Sequence, residues 1–321
     1  MIDFANLAMH PIVDLMWSAS NRIYWLYLAC AAVIALVVHL CRAPNGSRRY
    51  RLAFSFPRAI VMHPSSIADC GLWLLNSLLL LLVIPAVWIS GDTVKAVTAA
   101  ALSGVFGIES LGLVPGTSAR IAYTIANILA LDGGLFFAHY LHHRVPFLWE
   151  LHKVHHSAEV LTPITVFRVH PIEAWINLSV VGTVVGFAAG IFGFVFGAPP
   201  AIFAVNGINL VMFVFLIAGY HLRHSHVWVM FPRPIARHIS SPAMHLIHHS
   251  RDPKHADKNF AQIFNFWDRL TGTLYLPTAQ EAVAFGLHDG EHLEFRGVVR
   301  LYLRPLRNIA VRLSRGRVRQ S

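Results

Sequence analysis

Acids are scarce in this chain of 321 residues: sixteen Asp and Glu stand against twenty-six Lys and Arg, and charged residues make up only 13% of the whole. Soluble domains run nearer a quarter charged, so the deficit points to lipid-facing surface and argues against disorder or a coiled coil. Cysteine is almost missing. Cys30, Cys41 and Cys70 are odd in number, lack CxxC spacing and lie in or beside apolar runs. That excludes a secreted disulfide scaffold and a thiolate metal site, so any metal must be held by other ligands. The N-terminus has neither a basic region nor a small-residue cleavage site, and no removable signal peptide is expected. The net charge of +10 is dispersed rather than gathered into a patch, so nucleic acid is not an expected partner. There is no internal repeat or low-complexity segment.

Apolar length is what the chain has. Hydrophobic residues make up 55% of it, and its mean hydropathy is +0.54. A helix of about 20 apolar residues crosses a bilayer core of about 30 Å. Five runs qualify: Ile23–Cys41, Cys70–Ser90, Ile121–Ala138, Ala174–Phe196 and Ala201–Gly219, the last two forming a hairpin around Ala198-Pro199-Pro200. A weaker run, Val94–Leu113, reads as an interfacial or re-entrant helix. The expected fold is all-α: a polytopic membrane bundle of about five spans with a helical cap on the cytoplasmic side. Orientation follows from charge. Arg42, Arg48, Arg49, Arg51 and Arg58 lie between the first two runs, while no Lys or Arg precedes Arg22. The positive-inside rule therefore places the N-terminus outside. Five crossings leave the C-terminus inside, where residues 222–321 hold 15 of the 26 basic side chains. The tail Phe295–Arg319 alternates Leu, Ile and Val with Arg, which suits a helix on an anionic leaflet interrupted at Pro305. Three regions are expected: membrane segments over 1–118, a histidine-bearing domain over 119–275, and a basic amphipathic tail over 276–321.

Histidine is the second excess. Of twenty, fifteen fall between His139 and His255. The third run ends in His139-Tyr-Leu-His142-His143; His152-Lys-Val-His155-His156 follows, and after the hairpin comes His245-Leu-Ile-His248-His249. Positions i, i+3 and i+4 share a helix face, so HxxxH is expected to aim two imidazoles at one point and each HxxHH three. Eight imidazoles are too many for one ion and suit two first-row metal ions, with zinc, copper, nickel and iron all open on ligand type alone. The bland reading, histidines decorating a membrane-proximal surface, does not account for such bunching. His10, His39, His63, His238, His288 and His292 are isolated and carry no special expectation.

Asp132 lies two helical turns before His139. A carboxylate inside a span is costly unless paired, and accepting the free N–H of a ligating imidazole would pair it while orienting the ring. The alternative is an Asp capping local amides beside Gly133-Gly134. Asp268 and Glu173 are vaguer candidates for the same role.

With these boxes in this order, the chain resembles the fatty acid hydroxylase/sterol desaturase superfamily of integral-membrane di-iron oxygenases over about Ala130–Tyr275. The surrounding residues include Leu148-Trp149-Glu150-Leu151, Phe167-Arg168-Val169-His170-Pro171-Ile172-Glu173, Arg223-His224-Ser225-His226, Asp257-Lys258-Asn259-Phe260 and Trp267-Asp268-Arg269-Leu270-Thr271-Gly272-Thr273. The resemblance is nearest to bacterial members that act on membrane lipids, including ornithine-lipid hydroxylase-like proteins. It implies His139, His143, His152, His155, His156, His245, His248 and His249 as metal ligands, with His224 as a ninth. His142 falls where the family has a non-ligand. His170 is ranked first as a donor behind the ligands, and His221 and His226 stay undecided. Ala261, where Gly is usual, and Tyr140, where Arg is usual, depart from the pattern without removing a ligand.

The function implied is O2-dependent hydroxylation of a C–H bond of a membrane lipid, with two Fe ions as cofactor. No haem- or flavin-binding motif is present in the sequence, so a separate electron donor is expected. Desaturation on the same site is the alternative. A His-rich metal transporter is the rival from another class, but its ligands should line a path within the spans.

Overall fold

The structure is a computed structural model describing residues 16–42, 57–87, 89–288 and 290–318. His10, Arg48, Arg49 and Arg51 lie outside the described residues. The chain is mostly helical: α1 (Trp25–Arg42), α2 (Pro64–Val87), α3 (Gly91–Phe106), α4 (Thr117–Arg144), α5 (Pro146–His156), α6 (Pro171–Phe196), α7 (Leu210–Ile217), α8 (Pro242–His248), α9 (Phe266–Thr271) and α10 (Val298–Val318).

Two of these, α4 and α6, are long and apolar enough to cross a membrane. They are antiparallel. Gly134 packs against Val181, where a Cβ would meet the Val181 Cα at 3.1 Å, and further along the Tyr123 and Phe192 rings stand 4.8 Å apart. The histidine-rich end of α4 therefore lies beside the first turn of α6. That turn is set by Pro171 at its start and by His170, whose Nδ1 accepts from the Ile172 N–H.

The run expected to be interfacial or re-entrant forms α3, which packs lengthwise on α6. Ser90 caps its N-terminus by accepting from Thr93 N–H, and Gly107 ends it at φ 70°. Gly182, Gly186 and Gly190 of α6 are spaced by four and admit this neighbour: a Cβ on Gly186 would sit 2.9 Å from the Val94 Cβ, and one on Gly190 2.8 Å from the Lys95 carbonyl. Small residues at this spacing let two backbones approach where lipid supplies no hydrophobic drive. Because 91 pairs with 182–186 and Phe106 stacks on Phe194, α3 runs parallel to α6. It continues the direction of α2, which starts at the histidine end where Ser65 meets Arg168.

The fifth expected span is corrected. Residues 201–219 are no continuous helix. Ala204–Val205 and Ile208–Asn209 pair as a small antiparallel hairpin, and α7 has only 8 residues, a rise of about 12 Å. Asn206-Gly207, at φ 49° and 78°, makes the turn, the dipeptide a tight hairpin favours. Asn209 then holds Thr124 O and Asn127 and accepts from Val211 N–H to start α7. The chain still returns along α4 to the histidine end, so the three boxes meet as expected. Helix α1 packs against that returning segment: Tyr24 and Tyr27 join Met212, Phe215 and Tyr220, and Ala31 and Ala35 meet Leu222 and Val227.

The tail is corrected too. Helix α10 runs through Pro305 without interruption. Leu301 is buried with Leu72, Val154 and Phe295, while Asn308 and Arg312 bond the buried Glu150 of α5, so packing on both sides of the proline holds the helix. Exposed Val299, Leu303, Leu306 and Leu313 share its outer face. Arg168 pairs with Asp69 at 2.6 Å, both fully buried, and bonds the Val154 carbonyl and the Ser157 hydroxyl at the end of α5. Removing one partner of such a pair strands a buried charge, at a cost of about 3–5 kcal/mol.

Candidate metal centre

The nine histidines named from the sequence come together as two groups: His139, His143, His152, His156 and His248 in one, and His155, His224, His245 and His249 in the other. Within each group the candidate ligand atoms lie within 4.8 Å of one another. The boxes divide differently from expectation. Helix α5 gives His152 and His156 to the first group and His155 to the second; α8 gives His248 to the first, while His245 and the adjoining His249 go to the second. The cause is helical geometry. At about 100° per residue, i and i+4 are 40° apart on one side, whereas i+3 points 60° to the other. Each HxxHH therefore serves two points, and the two groups adjoin, with the His156 and His249 rings 4.7 Å apart.

Both groups fit cations by the chemistry of their nitrogens. In the first, all five Nε2 atoms are buried without a hydrogen-bond partner among the described residues. In the second, His224, His245 and His249 form a triangle of Nε2 atoms with sides of 3.0, 3.1 and 3.1 Å. An imidazole nitrogen is either donor or acceptor, so one pair in any such triangle is mismatched. A cation at the centre satisfies every lone pair. The rings are also held neutral. Burial, with the neighbouring imidazoles, keeps His152, His156, His224, His245 and His249 well below the usual 6.5. Burial takes His155 and His248 down to about 3.

Acceptors outside the groups fix which nitrogen faces inward. His152 Nδ1 meets Glu173 Oε1 at 2.6 Å, His139 Nδ1 the Phe260 carbonyl at 3.0 Å, His248 Nδ1 the Lys258 carbonyl at 2.8 Å and His155 Nδ1 the Arg168 carbonyl at 3.3 Å. His143 Nδ1 faces Asp257 at 3.5 Å. Three of these acceptors come from one turn, 257–260. Asp257 and Asn259 adopt φ 55° and 58° there, a conformation these two residue types tolerate best, and so direct the Lys258 and Phe260 carbonyls at different rings.

Asp132 reaches no imidazole. It accepts from the Ile263 and Phe264 amides and from Trp267 Nε1, which are neither imidazole donors nor local amides. Gly133 beside it leaves room for the Trp267 ring, 2.9 Å from where a Cβ would stand. Asp268 accepts from Phe260 N–H, Ala261 N–H and Thr273 Oγ1. The two carboxylates thus pin the segment that supplies the His139 acceptor. His170 has both ring nitrogens on backbone, Ile172 N–H and the Tyr302 carbonyl, and stands behind no ligand. His142 bonds the Ala138 carbonyl at 2.6 Å and joins neither group. Neither His221, stacked on Tyr27, nor His226 does so. Glu173, like Asp268 a vaguer candidate than Asp132 in the sequence, proves the one of these three carboxylates that bonds a histidine of the two groups.

Two cavities touch the centre, and a third opens into one of them. A chamber of about 780 Å³ lies among Leu131, Leu178, Val181, Ile208, Met212 and Leu216. It joins a smaller space of about 100 Å³ that touches His139, His152, His155, His224 and His245. A separate cleft of about 240 Å³ reaches His143, His156 and His248 beside Trp149 and Asp257.

Comparison with known proteins agrees with the boxes. Residues 124–273 match the family model described as fatty acid hydroxylase. The alkylglycerol monooxygenase of Danio rerio is 29% identical over 162 residues, covering 50% of this chain and 31% of that protein. An ornithine lipid hydroxylase of Rhizobium tropici is 27% identical over 163 residues, 51% of this chain and 45% of that protein. A sterol desaturase of Gibberella zeae is 28% identical over 152 residues, 47% of this chain and 37% of that protein. The chain thus spans about a third to a half of the length of these relatives. No solved structure matches it.

Proposed function

We propose that this protein, of the fatty acid hydroxylase superfamily over residues 124–273, is an O2-dependent oxidoreductase that hydroxylates a C–H bond of a membrane lipid. The observation that carries the reading is the pair of adjoining histidine groups, five and four, whose buried Nε2 atoms converge. The relatives are lipid monooxygenases, hydroxylases and desaturases by name. His139, His143, His152, His156 and His248 hold one metal ion, and His155, His224, His245 and His249 the other. Two iron ions bound there supply activation of O2 and removal of hydrogen from carbon. The chain's own part is orientation and exclusion of water. Glu173 and the Lys258 and Phe260 carbonyls fix the tautomers of His152, His248 and His139 and raise their basicity, and the chamber brings a lipid chain to the histidines.

The electrons come from a separate donor. Arg58, just before α2, lies on the histidine side of the bundle, and by the positive-inside rule the site faces the cytoplasm of a bacterial inner membrane. Removal of two hydrogens from the lipid in place of hydroxylation would make the protein a desaturase. Metal analysis and absorption of the purified protein test the reading: about two irons per chain without a Soret band is expected. One metal or none after anaerobic iron loading overturns it. Mass spectrometry of lipid extracts from cells with and without the protein separates the two outcomes, a +16 shift for hydroxylation and a −2 shift for desaturation.

A further inference from the structure

The sequence of α10, VVRLYLRPLRNIAVRLSRGRV, holds six arginines and no acid. Its inner face is fastened at two places. Near its start, a Cβ on Gly71 of α2 would lie 2.8 Å from Val298 Cγ2, and the Tyr302 hydroxyl donates to Asn76 Oδ1 at 2.6 Å. His170 Nε2 donates to the Tyr302 carbonyl at 3.2 Å, beside the first turn of α6. Helix α10 therefore passes the point where one of the two membrane-length helices begins. Further on, Asn308 and Arg312 each donate to Glu150 of α5 at 2.8 Å. That helix carries His152, His155 and His156.

The outer face is apolar, with Val299, Leu303, Leu306 and Leu313 exposed. At about 100° per residue, Arg300 and Arg307 stand roughly 140–160° round the axis from Tyr302, with this stripe between them. Tyr302 marks the side toward the spans, through Asn76, so the arginine edge faces away from the bilayer core. Arg304 is paired with Glu294 and Arg312 with Glu150. Arg300 and Arg307 are exposed and have no ion pair among the described residues. A helix of this pattern lying in an interface sinks its apolar stripe among acyl chains while its arginines reach the headgroups. Each such arginine favours an anionic surface by about fivefold. A second copy of the chain is a poorer occupant, because a two-fold contact brings two acid-free, arginine-edged faces together.

We propose that α10 seats on the leaflet at the histidine end of the bundle, with Arg300 and Arg307 on the phosphates of anionic phospholipids, and that this seating holds α5 in place through Glu150. Anionic lipid then steadies the helix that supplies three of the nine histidines. The proposal rests on α4 and α6 crossing a membrane and goes beyond the oxygenase reading, since it needs neither iron nor turnover.

The test uses the full-length protein in nanodiscs of phosphatidylcholine, with or without added phosphatidylglycerol, carrying the photo-cross-linker p-benzoylphenylalanine in place of Leu303. Mass spectrometry of the products should show lipid adducts, with phosphatidylglycerol enriched several-fold over its share of the disc. The Arg300→Gln, Arg307→Gln double variant should lose the enrichment and keep the adducts. Hydrogen exchange of residues 146–156 should be several-fold slower in discs containing phosphatidylglycerol. The Asn308→Ala, Arg312→Ala double variant should abolish that difference and leave the enrichment intact. Adducts to a second copy, no lipid adducts, or lipid adducts without arginine-dependent enrichment overturn the seating. Exchange of 146–156 that ignores the lipid, or a lipid response that survives loss of Asn308 and Arg312, overturns the link to α5. Both readouts are independent of bound iron, so this proposal and the oxygenase reading can each fail alone.

Discussion

The two histidine groups draw on the same two helices yet are held in different ways. In the five-membered group, four rings have an acceptor on Nδ1: the Phe260 and Lys258 carbonyls, Glu173, and Asp257 at longer range. In the four-membered group only His155 is so tied among the described residues, and its partners crowd Nε2 to Nε2 at 3.0–3.4 Å. One group is organised from outside. The other depends on what sits at its centre. A five-membered group that loses one histidine also keeps four, as many as the smaller group has intact.

The largest expected effect breaks the comparison directly. His245→Ala leaves the smaller group three ligands and should lower bound metal from two ions to about one, abolishing turnover; His155→Ala should do the same. His143→Ala leaves four in the larger group and should keep more metal, though with reduced turnover, while His10→Ala should change neither. Metal content by mass spectrometry decides. Equal loss from His245→Ala and His143→Ala would mean the groups do not differ as drawn.

Glu173→Gln comes next. It keeps the size of the side chain but replaces the carboxyl group that faces His152 at 2.6 Å with an amide. Loss of such an outer partner lowers metal affinity by roughly 10–100-fold. The competition to run is a chelator titration of the purified variant, and unchanged retention of both ions would remove Glu173 from the ligand support.

The two groups share one property, which is neutrality when metal-free. An unfolded histidine titrates near 6.5, whereas His155 and His248 are buried with values of about 3. Between those values the unfolded chain takes up protons that the folded chain refuses. Stability of the metal-free protein should therefore be full above pH about 6.5 and decline as pH falls toward 3. Denaturant midpoints across that range check the sign; a midpoint that rises on acidification would contradict it.

How far the sequence shows this depends on the range of the interaction. The boxes are legible because i, i+3 and i+4 are local, yet their division between two points needs the angular detail, and the expectation of three rings at one point failed there. Asp132 is legible as a carboxylate that must be paired, but its partners at 263, 264 and 267 are set by tertiary packing. The fifth apolar run misleads because hydropathy is blind to Asn206-Gly207, a turn signal lying inside it. The Gly182, Gly186 and Gly190 spacing was equally readable as a helix contact, and only its partner, α3, was not.

The smallest expected effect sharpens the contrast within the larger group. Asp257 faces His143 Nδ1 at 3.5 Å, is 42% exposed, and is shared with Arg144 at 3.0 Å. An exposed pair of this kind contributes on the order of 0–1 kcal/mol, so Asp257→Asn should weaken metal binding by at most about fivefold. Glu173 is buried, and its neighbours beyond His152 are Asn177 and the His170 backbone rather than a cation. If distance and solvent set the strength of outer support, the two variants should differ clearly in the same chelator titration. If instead Asp257→Asn matches Glu173→Gln, its weight comes through the backbone, because Asp257 opens the turn whose carbonyls hold His139 and His248. A further variant, Asp257→Gly, separates these: it keeps the positive φ and discards the carboxylate, and should then bind metal nearly as well as the unaltered chain.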